Sequence, residues 1–284
     1  MTVDVPPDHV LAAFGLGGAR PAPLGSTWEG GWRCGEVVLS MVADHARAAW
    51  SAKVRETLFV DGVRLARPVR STDGRYVVAG WRGDTYVAGT PEPRHDEVIS
   101  AAVRLHEATA TLERPRFLTQ PPVAPWGDVD VFIAADRAAW EERPLHSLPA
   151  GARVSPGSAD GQRSIDLINQ LAALRKPTKS PNQLVHGDLF GTVLFAGTAA
   201  PGITDITPYW RPTSWAAGVA VVDALAWGEA DDGLIERWSA LPEFPQMLLR
   251  ALMFRLAVHA LHPRSTAAAF PGLARTAALV RLAV

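Results

Sequence analysis

The sequence predicts an α+β protein in two lobes, a β-rich N-terminal lobe over residues 1–90 and a helical C-terminal lobe over residues 91–284. Three observations carry this expectation. Before residue 90, alternating apolar residues are broken by glycines, as in PLGSTWEGGWRCGEVVLSMV and RYVVAGWRGDTYVAG, the period-two pattern of strands joined by turns. Pro91 and Pro93 then punctuate the chain ahead of a strongly periodic run, Asp96 to Leu112, and mark a hinge. Toward the C-terminus, long Ala- and Leu-rich stretches dominate, and these read as helices.

Taken in order, Asp8 to Phe14 reads as a short helix closed by Gly15, Gly17 and Gly18. Gly25, Gly30, Gly31 and Gly35 follow, and this stretch reads either as an ordinary hairpin or as a glycine loop lying over a ligand's phosphates. Asp44 to Leu58 is helical, with Ala46, Ala49, Trp50, Lys53, Val54 and Thr57 on one face. That phase sets Lys53 on or beside the buried stripe, where its stem either snorkels to solvent or points into a functional cleft. Arg75 to Gly89 reads as a strand pair with its turn at Gly83 and Asp84; its RGD triplet has no support as an adhesion motif. Arg114 to Gly127 and residues 149–161 read as loops. Ser164–Leu174, Thr213–Ala230, Glu243–Leu261 and Ser265–Val284 read as helices. His95 and His106 lack ligand spacing, and His259 and His262 lack an acidic third ligand, so all four are expected to be structural.

Composition narrows the function classes. With 48% apolar and 20% charged residues the chain is globular, and the absence of an uninterrupted apolar run of membrane-spanning length argues against a membrane helix. The N-terminal MTVDVPPDHV carries acids and prolines where a signal peptide carries basic residues, which predicts a cytoplasmic protein. The 28 basic residues are scattered among 29 acidic ones, so there is no electrostatic case for nucleic acid. Cys34, the single cysteine, excludes an internal disulfide framework and reads as a small half-buried side chain. The ten tryptophans read as core, or as the lining of a pocket for a flat or apolar small molecule. Oligomeric state is not legible.

The most informative stretch is LVHGDLFGTVLFAGTAAPGITDITPYWRPTSW, Leu184 to Trp215. Val193 to Phe195 and Ile203 to Ile206 read as the strands of a hairpin turning through Gly197, Pro201 and Gly202. Asp188 and Asp205 stand at its outer ends, placed to share a cation or a proton-transfer centre.

This stretch resembles the aminoglycoside phosphotransferase and choline kinase-like family of small-molecule kinases. It is most similar to an actinobacterial subgroup with an HGDL loop, a following aspartate and a YWRP-type continuation. Those residues are His186, Gly187, Asp188 and Leu189, then Asp205, then Pro208 to Pro212. The resemblance extends to Gly35–Val42 and Ala48–Lys53. It implies a protein-kinase-like fold, with Asp188 as the catalytic base or orienter of an acceptor hydroxyl. It also implies Asp205 as the magnesium ligand and His186 as a group tying the loop's backbone.

The same resemblance exposes departures. Thr192 stands where the subgroup has an asparagine metal ligand, and a threonine hydroxyl can take that place. The strand lysine that would hold nucleotide phosphates falls on Ser40, and the helix glutamate that would pair with it falls on Lys53. A catalytic cation is worth about 10³ to 10⁵ in rate in phosphoryl transfer, so its loss needs replacement. Two readings follow. In the favoured one the nucleotide site is degenerate and the protein binds or transforms a small molecule by other chemistry, as in specialised metabolism. In the alternative it remains an ATP- and magnesium-dependent phosphotransferase, with Lys53 or Arg33 as the replacement cation and Asp205 with Thr192 on the metal.

Overall fold

The structure, a computed structural model, describes residues 4–120, 127–140 and 159–284. Most of the expected loop at 149–161, and residues 121–126 of that at 114–127, lie outside the described residues. The chain forms two compact units, one of Met1–Thr111 with Leu189–Pro208, the other of Leu112–Asp188 with Tyr209–Val284.

The first unit opens with α1 (Asp8–Ala13), β1 (Ala22–Pro23), β2 (Trp32–Cys34), β3 (Val37–Met41), α2 (His45–Thr57) and β4 (Arg64–Leu65). It continues with β5 (Pro68–Val69), β6 (Val77–Val78), β7 (Trp81–Thr85) and α3 (His95–Thr109). The chain then enters the second unit for α4 (Asp128–Trp140), α5 (Ala159–Ala172) and β8 (Gln183–His186). It returns to the first for β9 (Val193–Leu194) and β10 (Gly202–Ile203). Last come β11 (Pro208–Arg211), α6 (Thr213–Trp227), α7 (Leu234–Arg237), α8 (Phe244–Leu261) and α9 (Phe270–Ala283).

In the first unit β1, β2, β3, β7 and β5 lie side by side, antiparallel throughout, and β6 pairs with β7. The register sets Ser40 opposite Arg82 and Val38 opposite Asp84. Because side chains alternate along a strand, these four residues share one face. The turn between β6 and β7 falls at Ala79 and Gly80, both at positive φ as a two-residue hairpin turn requires. This corrects the turn expected at Gly83 and Asp84, which lie inside β7. Gly83 is there for close packing: a Cβ on it would stand 3.0 Å from the Phe14 ring.

Helix α2 starts where the Asp44 carboxylate accepts the backbone N–H groups of Ala46 and Arg47, at 2.9 and 3.1 Å. Its buried face is Ala48, Ser51, Ala52 and Arg55. The expected phase was off by about half a turn, because the face contains a serine and an arginine that composition alone marks as exposed. The β9–β10 hairpin is present, with Val193 opposite Ile203, and β10 also pairs in parallel with β4. The second strand ends at Ile203 rather than Ile206, so Thr204 and Asp205 leave the ladder.

The second unit is built on α8, whose residues are almost all buried and which packs against α4, α5, α6 and α9. A helix apolar all round needs neighbours on every side. Helix α6 is likewise buried from Ser214 to Ala226. Strands β8 and β11 pair beside it, and Tyr209, Trp215 and Phe254 meet in tilted and edge-on contacts with centroids 5.3 to 5.6 Å apart. No helix among the described residues is long and apolar enough to cross a membrane.

Candidate functional site

Two arginine–carboxylate clusters surround the two aspartates singled out in the sequence, Asp205 in the first unit and Asp188 in the second. In the first unit Asp205 is met from two elements and by the N–H of the next residue. Arg82 of β7 donates through Nη1 to its Oδ2. Ser51 of α2 donates to Oδ1, the Ile206 N–H reaches the same oxygen at 2.7 Å, and Arg55 Nε stands 3.3 Å away. Arg55 is fully buried; its Nη1 also holds Asp84 at 2.7 Å and the carbonyl of Ala66 at 2.7 Å. Arg82 bridges on to Asp84 and Glu29 at 3.3 and 3.2 Å. Burial works against the ionised form of Asp205, but Arg82 and Arg55, with the Ser51 hydroxyl, outweigh it and hold the carboxyl well below its usual range. Two guanidinium groups face three carboxylates, so the cluster has no surplus positive charge.

In the second unit Arg255 of α8 is clamped by Asp223 of α6, through Nε at 2.7 Å and Nη2 at 2.5 Å. Nη2 also donates to Asp188 at 2.9 Å. Burial pushes the Asp223 carboxyl up to about 6 while Arg255 pulls it back, so at neutral pH the pair is ionised. The Asp188 carboxylate is half-exposed, and its backbone N–H donates to His186 Nδ1 at 3.1 Å, so His186 braces the turn. Gly187 sits against the Tyr209 ring, where a Cβ would come within 2.4 Å of Cδ2; only glycine lets the HGD turn lie there.

No protein-family model matches the sequence, and no curated protein matches it. Solved structures do match along nearly the whole chain. Aminoglycoside phosphotransferase APH(4)-Ia is 14% identical with a TM-score of 0.55 to 0.56 across two of its structures; in the one scoring 0.56, 92% of this chain and 93% of that chain are covered. The aminoglycoside phosphotransferase from Alicyclobacillus acidocaldarius is 13% identical with a TM-score of 0.53, covering 100% and 93%. Spectinomycin phosphotransferase APH(9)-Ia, solved with ADP and spectinomycin, is 9% identical with a TM-score of 0.52, covering 89% and 88%. The fold is kinase-like.

On this kinase-like α+β fold the residues singled out in the sequence have separate fates. Asp205, Ser40, Lys53, Arg33 and Thr192 fall in the first unit, Asp188 and His186 in the second. Ser40 is buried and its hydroxyl donates to the carbonyl of Trp28 at 3.4 Å. Lys53 lies on the exposed side of α2. Arg33 folds back on its own hairpin, bonding the Gly35 carbonyl and Glu36 and covering the Tyr86 ring at 3.7 Å. The Thr192 N–H donates to the Leu189 carbonyl at 3.2 Å, and its side chain is partly buried.

In this arrangement the Asp205 carboxylate is engaged by the protein's own donors, a guanidinium among them. Magnesium needs carboxylate lone pairs open to it, whereas here one oxygen takes the Ser51 hydroxyl and the Ile206 N–H and the other takes Arg82. No cluster of three or more His, Cys, Asp or Glu with metal-holding geometry occurs among the described residues.

Sequence reasoning missed Arg55, Arg82, Asp84, Asp223 and Arg255. The signals existed: one acid in SWAAGVAVVDALAW, and arginines inside the apolar MLLRALMFRLAVHAL. A charge buried in such a helix must be paired.

Proposed function

We propose that this chain is a kinase-fold protein with a degenerate nucleotide site, which binds or transforms a small molecule in the cytoplasm without standard phosphoryl transfer. The observation that carries this reading is the engagement of Asp205 by Arg82, Arg55, Ser51 and the Ile206 N–H. A carboxylate held this way organises structure and offers no place for a metal that bridges phosphates. The burial of Ser40 beneath the Trp28 carbonyl supports the same reading, since the position expected to hold a phosphate-binding lysine instead serves the protein's own backbone. Asp188 is then the functional carboxylate. Its N–H is braced by His186, and its side chain is oriented by Arg255, which Asp223 fixes in turn.

The half-exposed Asp188 also favours the alternative, an active small-molecule phosphotransferase with Asp188 orienting the acceptor. Thermal melting with ATP, ADP or GTP, with and without magnesium, separates the two. A ligand at 100 times its dissociation constant stabilises by about 2.7 kcal/mol. The degenerate reading expects no magnesium-dependent shift with any nucleotide; such a shift, lost in Asp205→Asn, supports the phosphotransferase instead.

A further inference from the structure

Asp188, Arg255 and Asp223 all belong to the second unit, and Arg255 divides its donors unevenly between the two acids. A guanidinium is a planar fork whose N–H groups keep fixed directions. One edge, Nε and Nη2, grips both oxygens of Asp223 at 2.7 and 2.5 Å. The end of the fork turns to Asp188, where Nη2 donates to Oδ1 at 2.9 Å. Nη1 shares that end of the fork, and among the described residues it makes no hydrogen bond.

Exposure rises in one direction through the trio. The Asp223 side chain is 1% exposed, Arg255 8% and Asp188 47%. The unengaged Nη1 donors therefore adjoin the one carboxylate of the trio that solvent reaches. The backbone under that carboxylate is fixed, since the Asp188 N–H donates to His186 Nδ1 and Gly187 lies against the Tyr209 ring. A donor and an acceptor held side by side in this way are pre-organised for a ligand that presents both complements.

The charges say which complements. Two carboxylates and one guanidinium leave one negative charge, and it falls at Asp188 because Asp223 holds Arg255 by two points. A simple anion meets that charge and is repelled. A simple ammonium answers Asp188 but sets a second cation beside the Nη1 donors. An ammonium with a carboxylate on the adjacent carbon answers both.

We propose that the Asp188 carboxylate and Arg255 Nη1 recognise the zwitterionic head of a free amino acid or an amino-acid-like small molecule, the ammonium on Asp188 and a carboxylate oxygen on Nη1. The proposal rests on the reading of Asp188 as the functional carboxylate of a site without standard phosphoryl transfer, and it names the ligand class of that site.

The test is a nuclear magnetic resonance titration of the full chain, labelled with nitrogen-15, at neutral pH in EDTA and without nucleotide. The probes are glycine, methylamine, which lacks the carboxylate, and acetate, which lacks the ammonium. Glycine is the smallest head of the class, so no side-chain pocket decides the outcome. It is expected to shift the Asp188 amide and the Arg255 guanidinium signals saturably, with a dissociation constant on the order of millimolar and about tenfold or more below those of methylamine and acetate. Asp188→Asn is expected to bring glycine to the level of acetate, and Arg255→Lys to the level of methylamine. Glycine binding no tighter than methylamine overturns the proposal, as does glycine binding that Asp188→Asn leaves unchanged, or no saturable shift with glycine. Should Arg255→Lys not melt cooperatively, the ranking of the three probes on wild type and the effect of Asp188→Asn decide. A magnesium-dependent nucleotide shift would overturn the degenerate reading by a separate experiment; absence of a glycine shift in a chain that also shows no nucleotide shift overturns this proposal alone.

Discussion

Arg82 lies opposite Ser40 in the register of β3 and β7, and its guanidinium is bound to Asp205. The positive charge absent from the β3 position is therefore present one strand over, but it is directed at the carboxylate that the family resemblance assigns to magnesium.

Arg55 is the group whose removal should harm the first unit most. Its side chain has no exposure and reaches Asp84, Ser51 and two carbonyls, so Arg55→Met leaves buried acceptors and a carboxylate uncompensated. A loss of about 3 to 5 kcal/mol is expected by urea unfolding. Pairing it with Asp84→Leu should recover part of that loss, which a double-mutant cycle would read as coupling.

Lys53 provides the contrast. Exposed on α2, it should tolerate Lys53→Ala within about 0.5 kcal/mol. A large effect on ligand binding without an effect on stability would return it to the list of replacement cations.

How much of this was legible in the sequence depends on which side chains carry their own signal. The hairpin between Asp188 and Asp205, helix α2 and the long C-terminal helices follow from periodicity and punctuation, which are local. The kinase-like fold followed from HGDL, the second aspartate and YWRP. The phase of α2 did not, because periodicity assigns arginine and serine to the outside, and only partners distant in sequence, Asp84 and Asp205, make Arg55 an inside residue. Gly83 looked like a turn for a similar reason: nothing near it in sequence reveals the Phe14 ring that needs the space.

The HGD turn depends on its glycine through packing. Gly187→Ala would drive a methyl into the Tyr209 ring, which cannot yield freely because Trp215 and Phe254 pack around it. Destabilisation of about 1 to 3 kcal/mol is expected, with a change in near-ultraviolet circular dichroism from the disturbed aromatic cluster.

The pH dependence of stability has a signature from Asp223. Its folded pKa, about 6, lies above its unfolded value, so its contribution is fully present below about pH 4 and is lost as pH rises through 6. The loss is on the order of 3 kcal/mol. Asp223→Asn should be less stable throughout, because the clamp on Arg255 is weakened, but its stability should fall less between pH 4 and 7 than that of wild type. Parallel profiles for the two proteins would remove Asp223 as the source.

Electron paramagnetic resonance titration of manganese with ATP into the wild-type chain reads whether Asp205 accepts a divalent metal. With Asp205 engaged by Arg82 and Ser51, the spectrum is expected to remain that of free manganese–ATP at every protein concentration. A protein-bound manganese–ATP signal that disappears in Asp205→Asn would contradict it.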